Sequence, residues 1–216
     1  MTSPINGTVY GVILNDAASL ARLGDALEAA PYKGAPKAPA LYIKPANTLV
    51  GSGAVVTLPA GAMAVEVGAT IGLVIGHPAA RLAPETALDA VAGIALVADL
   101  SLPHTSYYRP AIREKCFDGA CPVGAVSSAA LVRQIGTLEI TTEIDGVVAE
   151  TRRFDDLLRD PARLLADVSA FMTLSRGDML LVGVRYLAPQ AKVGSHVRIS
   201  APGLVPVEFS IAGDRS

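Results

Sequence analysis

Short apolar runs rich in β-branched residues, separated by turn residues, recur along most of the chain. Thr8 to Leu14 has this character and ends at Asn15-Asp16, which predicts a strand running into a capped helix over Ala17 to Ala30. Pro31 to Pro39 shifts to proline, lysine and glycine and reads as extended chain. Leu41-Tyr42-Ile43 then forms a strand broken at Lys44-Pro45, placing Lys44 at a strand end near a turn. Apolar strands follow over Ala54 to Leu58, Ala64 to Ile75 and Ala92 to Asp99, with Ala83 to Ala90 helical behind Pro84. Leu138 to Ile144 alternates, meets Asp145-Gly146, and continues as Val147 to Arg152, the pattern of a hairpin. Asp155 to Phe171 has helical apolar spacing and Arg176-Gly177-Asp178 ends that unit. Met179 to Val184, His196 to Ser200 and Val207 to Ile211 read as closing strands.

These elements predict an α+β, β-rich chain of mixed sheets with a few peripheral helices. No internal repeat, low-complexity tract or linker divides it, so residues 1–216 are expected to form a single domain. Its core would span about 40–211, with a short strand-helix segment over 7–39.

With 51% hydrophobic and 18% charged residues, the chain has the composition of a folded domain rather than a disordered one. The apolar excess in Ala, Val, Leu and Ile leaves room for buried subunit contacts. A net charge of −2 gives no basic field for a phosphate backbone, so nucleic acid is not an expected partner. Apolar stretches are interrupted before about 18 residues, and the N-terminus lacks a basic start with a long apolar run. No membrane association and a cytoplasmic location are the corresponding expectations. Cys116 and Cys121, five apart, match neither a zinc spacing nor a disulfide framework and are expected to be free thiols.

Polar side chains and turn glycines coincide in Lys44 to Gly53, Asp99 to Gly124 and Leu181 to Tyr186. Six segments occur in one order: Ile43-Lys44-Pro45-Ala46-Asn47-Thr48-Leu49-Val50-Gly51; Ala98-Asp99-Leu100-Ser101; Tyr107-Tyr108-Arg109-Pro110; Lys115-Cys116-Phe117-Asp118-Gly119 through Cys121-Pro122-Val123-Gly124; Ile144-Asp145-Gly146; and Leu174-Ser175-Arg176-Gly177-Asp178. In these the chain resembles the fumarylacetoacetate hydrolase family from about Gly7 to Phe209. The Tyr-Tyr-Arg-Pro segment and Gly68-Ala69-Thr70 are similar to the isomerase/decarboxylase branch that serves 4-hydroxyphenylacetate breakdown. The resemblance implies the rolled mixed-sheet fold of that family's C-terminal domain.

It also implies chemistry on small 2-oxo or enol dicarboxylates, in which a divalent ion, usually magnesium, stabilises an enolate through two glutamates of a Glu-x-Glu strand and a distant aspartate. Here Gly68 and Thr70 stand at the two glutamate positions and only Asp99 remains. The usual ligand set is therefore incomplete, with Glu66 on the same strand face the one other carboxylate in reach. Lys115 matches the family lysine that contacts substrate oxygens, although composition alone would make it a surface residue. Arg109 fits either a carboxylate clamp or a structural ion pair. Lys44 fits either the cleft or solvent, and Asn47 and Thr48 fit turn-stabilising roles. Val182-Gly183-Val184-Arg185 replaces the family's Thr-Gly-Thr-Pro turn, with Arg185 a substitute for the lost hydroxyls.

No histidine stands out as a general base. His77 and His196 sit at strand ends, and His104 follows Asp99 closely enough to be the one candidate. The His and Glu pair with which hydrolytic members activate water has no counterpart, which argues against hydrolysis and leaves acylpyruvate hydrolysis the weakest alternative. Two possibilities remain from the sequence. One is a subunit of a 5-carboxymethyl-2-hydroxymuconate isomerase and 5-carboxymethyl-2-oxo-hex-3-ene-1,7-dioate decarboxylase, with Lys115 and Asp99 catalytic and Arg109, Lys44, Arg185 and Thr70 binding substrate. The other is a catalytically silent partner of a metal-competent relative. A homodimer or a hetero-oligomer is expected under both.

Overall fold

The computed structural model describes residues 5–104 and 111–214. Its strands are β1 (Val9–Ile13), β2 (Ala40–Lys44), β3 (Leu49–Gly51), β4 (Ala54–Thr57), β5 (Ala64–Ile75), β6 (Val91–Ser101), β7 (Cys121–Val123), β8 (Ser127–Ser128), β9 (Glu139–Ile144), β10 (Val147–Arg153), β11 (Met179–Leu181), β12 (Gln190–Lys192), β13 (His196–Ser200) and β14 (Val207–Ala212). Three α-helices accompany them among the described residues: α1 (Ala17–Leu23), α2 (Ile112–Lys115) and α3 (Pro161–Ser169).

Two mixed sheets result. The larger runs β2-β1-β11-β5-β6-β7-β3, with β12 also on β5 and β8 on β6; the smaller runs β10-β9-β13-β14-β4. The long antiparallel pair β5–β6, in register from Glu66 opposite Ser101 to Val74 opposite Gly93, is the spine of the molecule. Because side chains alternate along a strand, Val67, Ala69, Ile71 and Leu73 face the smaller sheet and pack with Ile140, Phe154, Val197, Ile199 and Phe209 in the main core. Glu66, Gly68 and Thr70 face the other way, beside their cross-strand partners Ser101, Asp99 and Val97. That second face carries a small apolar cluster that includes Val9, Val97, Cys121, Met179 and Leu181.

The segment before residue 40 is woven into the larger sheet. Strand β1 lies between β2, where Val9 pairs with Lys44 and Gly11 with Tyr42, and β11, where Val9 pairs with Met179. The hairpin forms at Asp145-Gly146, both at positive φ (53° and 78°), as the two-residue turn requires.

The helices are shorter than their patterns suggest. The segment predicted as helix over Ala17 to Ala30 is α-helical only to Leu23, because Gly24 adopts φ +49° and the chain tightens into a 3-10 turn over Gly24–Leu27. The helix predicted over Asp155 to Phe171 begins at Pro161, where Asp160 caps it by accepting from Arg163 N at 2.9 Å. Asp155 to Asp160 instead crosses to α1, Ala17 N donating to Asp156 O and Leu158 N to Asn15 O. Ala83 to Ala90, predicted helical, holds only a 3-10 turn over Ala87–Ala90. The strand predicted over Met179 to Val184 stops at Leu181, ahead of Gly183 at φ +124°.

Candidate active site

Four side chains from three elements meet on the second face of the larger sheet. Asp99, near the end of β6, is buried and shares its two oxygens: Oδ1 lies 2.7 Å from Lys44 Nζ and Oδ2 lies 2.9 Å from Lys115 Nζ. The Tyr42 hydroxyl donates to the same Oδ2, and Lys115 Nζ sits 4.7 Å from the centre of the Tyr42 ring. Tyr42 reaches this place because its partner across the β1–β2 ladder is Gly11, where a Cβ would stand 2.0 Å from Tyr42 Cζ.

The two lysines differ in what they have left to offer. Lys44, expected at a strand end where it would meet cleft or solvent, is wholly buried. Its ammonium donates to Leu100 O (2.6 Å), Lys115 O (2.8 Å) and Ala120 O (2.9 Å) besides facing Asp99, so its three N–H groups are committed. It ties β2 to β6 and to the segment that follows α2. Lys115, at the end of α2, has one hydrogen-bond acceptor, Asp99, and the Tyr42 ring. Its remaining donor capacity points to a role toward a ligand.

Burial alone would raise the Asp99 pKa, but Lys115 and Lys44, with hydrogen bonds from Lys44 and Tyr42, outweigh it and hold the carboxyl at about 2. Asp99 is thus an anion throughout the physiological range and no proton carrier. Burial pushes the Lys44 ammonium down, with Asp99 opposing the shift and Lys115 adding to it. Glu66, two residues from Gly68 on β5, has its carboxyl pushed up by burial, with His104, Lys115 and Asp99 among the charges it senses.

These residues do not make a divalent-cation site. The one carboxylate at the centre is flanked on both oxygens by ammonium groups. Gly68 has no side chain, and a Cβ there would stand 2.9 Å from both Asp99 O and Val184 Cγ1. Thr70 is buried and donates its hydroxyl to Gly183 O at 2.6 Å. No cluster of three or more His, Cys, Asp or Glu side chains exists among the described residues.

The other sequence candidates are dispersed. Arg185 lies 3.6 Å from Asp156 Oδ2. Arg109 lies outside the described residues. His104 Nδ1 is within 3.0 Å of Leu102 O and 3.4 Å of Ser101 Oγ, whereas His77 and His196 sit in surface positions away from Asp99. Asn47 and Thr48 bond loop groups, Asn47 to Cys116 O and Asp118 and Thr48 to Pro45 O. Both cysteines are free, and burial pushes the Cys121 thiol up to about 12. Tyr42 and Arg152 were not singled out by the sequence. Tyr42 reads as an ordinary strand residue, and its pairing with Gly11 was the one available signal.

The match to the family model described as fumarylacetoacetate hydrolase C-terminal covers residues 8–212. The chain belongs to the fumarylacetoacetate hydrolase family. Its sequence is 37% identical over 211 residues to the 4-hydroxyphenylacetate degradation bifunctional isomerase/decarboxylase of Escherichia coli, covering 98% of this chain and 48% of that protein. The Salmonella dublin protein of the same name is 38% identical over 210 residues, with 97% and 48% covered. The chain therefore spans about half the length of these relatives. Among solved structures, 5-carboxymethyl-2-hydroxymuconate delta-isomerase from Mycobacterium smegmatis superposes with a TM-score of 0.82 at 26% identity, covering 98% of this chain and 81% of that one. The strand-rich, mixed-sheet architecture described above is shared with that solved structure. No described helix is long and apolar enough to cross a membrane.

Proposed function

We propose that this chain is one subunit of an isomerase/decarboxylase system of aromatic catabolism, acting on the enol polycarboxylate 5-carboxymethyl-2-hydroxymuconate or its 2-oxo isomer. The observation that carries the proposal is the Lys115 ammonium, buried, fixed by Asp99 and Tyr42, and with donor capacity to spare. Ketonisation moves a proton from the enol oxygen to a chain carbon, passing through a dienolate whose charge gathers on the oxygen beside a carboxylate. An ammonium donating to that oxygen in a low-dielectric site stabilises the charge as it develops. Asp99 acts as a positioning residue, holding Lys115 aimed, and Lys44 anchors Asp99 from behind.

The test follows the ultraviolet absorbance of 5-carboxymethyl-2-hydroxymuconate with the purified chain, with and without EDTA. EDTA-insensitive turnover that falls about 100-fold in Lys115→Met supports the proposal, a loss typical of removing one oxyanion donor.

One observation favours a second reading. Asp99 is ion-paired within the protein to both lysines, and the two positions beside it carry no carboxylate, as a catalytically silent partner of a metal-competent relative would show. Turnover that appears only when such a subunit is added, and that is indifferent to Lys115→Met, supports that reading instead.

A further inference from the structure

Arg152, near the end of β10, is the largest of the fully buried side chains. It projects toward a gap in the larger sheet. Along β5, the ladder with β11 reaches Gly72 and is extended by Val182 N donating to Ile71 O, the ladder with β12 begins at Glu66 and is extended by Val67 N donating to Pro189 O, and between Val182 and Pro189 the chain loops away. Arg152 Nη1 fills part of this gap, donating to Ala69 O at 3.1 Å and Gly183 O at 2.8 Å, while Phe154 packs 4.4 Å from the guanidinium carbon. Gly183 O also accepts from Thr70, so Arg152 and the second-face residue Thr70 share one acceptor.

The other edge of the guanidinium is different. Nε and Nη2 are buried and have no hydrogen-bond partner among the described residues. These two N–H groups are parallel, and together they form the fork that grips a carboxylate bidentately. A buried charged donor pair left without an acceptor is costly, so a group that completes it is expected. Three carboxylates, Asp16, Glu150 and Asp156, lie close enough for Arg152 to sense their charge, and none is hydrogen-bonded to it among the described residues. Asp16 accepts from Ser19 N and Oγ, Asp156 Oδ2 accepts from Ala18 N, and Asp156 Oδ1 is buried without a partner. Arg185 and Asp156, with side chains 19% and 24% exposed, belong to the same charged cluster and keep contact with solvent.

We propose that the Nε–Nη2 edge of Arg152 is a receptor for a carboxylate group of the ligand. The proposal rests on the reading that this chain takes enol or 2-oxo diacids, and it makes Arg152 the residue that selects for the second carboxylate. The two parallel N–H donors match the two oxygens of a planar carboxylate, so a neutral amide of the same size binds poorly.

The test is calorimetric titration of the full chain with malonate and with malonamide. Malonate is expected to bind, malonamide not, and Arg152→Lys to weaken malonate at least tenfold. That variant keeps the charge and a donor for Gly183 O but lacks the fork. The exposed control Arg133→Lys is expected to leave malonate binding unchanged. Arginine-selective 15Nε spectra of the unsubstituted chain give an independent answer, because the Arg152 Nε–H resonance should shift with malonate and saturate with the calorimetric isotherm. Equal affinity in Arg152→Lys, an equal loss in Arg133→Lys, or no malonate binding with an unmoved Arg152 resonance would each overturn the proposal, the last leaving buried water as the occupant. Malonate binding that follows Arg152 in a chain that turns over no dienol acid would overturn the functional reading and leave this site standing.

Discussion

Replacing Asp99 by asparagine keeps the shape of the side chain and removes the negative charge shared by Lys44 and Lys115. Both ammonium groups then remain buried, at 2.7 Å and 2.9 Å from a neutral amide. Removing one member of a buried ion pair costs about 3–5 kcal/mol, because the surviving charge is left without compensation. Urea unfolding at pH 7 should therefore show Asp99→Asn less stable by about that amount with an unchanged m-value.

The same residue governs an acid limb. The folded Asp99 pKa, about 2, lies below the ordinary value of 3.8, so the stabilisation is complete above 3.8 and is lost as pH falls through about 2. That difference corresponds to roughly 2.5 kcal/mol. The stability gap between the native chain and Asp99→Asn should narrow by about this much between pH 5 and pH 2, whatever other carboxyls titrate in both proteins. A gap under about 1 kcal/mol at pH 7, or one that does not narrow in acid, would refute the account of Asp99 as the hub of this site.

Gly11→Ala places a Cβ against the Tyr42 ring, so it should lower stability by about 1–3 kcal/mol and displace the Tyr42 hydroxyl from Asp99, seen as a lower Tm and an altered tyrosine near-ultraviolet difference spectrum. Magnesium and EDTA should each leave the Tm of the native chain unchanged, whereas an ion present at about 100 times its Kd would add about 2.7 kcal/mol and raise it. A thiol reagent at pH 8 should modify Cys116 in the folded protein and Cys121 only on unfolding, because Cys121 is fully buried with its thiol pKa pushed to about 12.

The strands were largely legible because half-buried sheets impose a period of two, and the β5–β6 spine and the Asp145-Gly146 hairpin came through it. Helix lengths were not, because apolar spacing alone does not register that Gly24 turns left-handed or that Pro161 restarts the chain after a crossing loop. Asp99 and Lys115 could be found from motif order. The burial of Lys44 could not, since its three carbonyl acceptors come from residues 56 to 76 positions away and only the sheet assembles them. Arg152 was hidden for a related reason. It sits at a strand end after a surface-exposed stretch, and only the gap between β11 and β12 turns it inward.

The position of β1 bears on how the molecule is made. The first strand pairs along one edge with the residues right after Lys44's strand begins, but along the other with Met179 and Leu180, about 170 residues later. During synthesis β1 must wait, half-paired, until β11 has left the ribosome, and loop closure over so long a chain is slow. Lys44 and Tyr42 ride on β2, whose place in the sheet depends on β1. Activity should therefore appear late in refolding, after the bulk of the circular dichroism signal has returned.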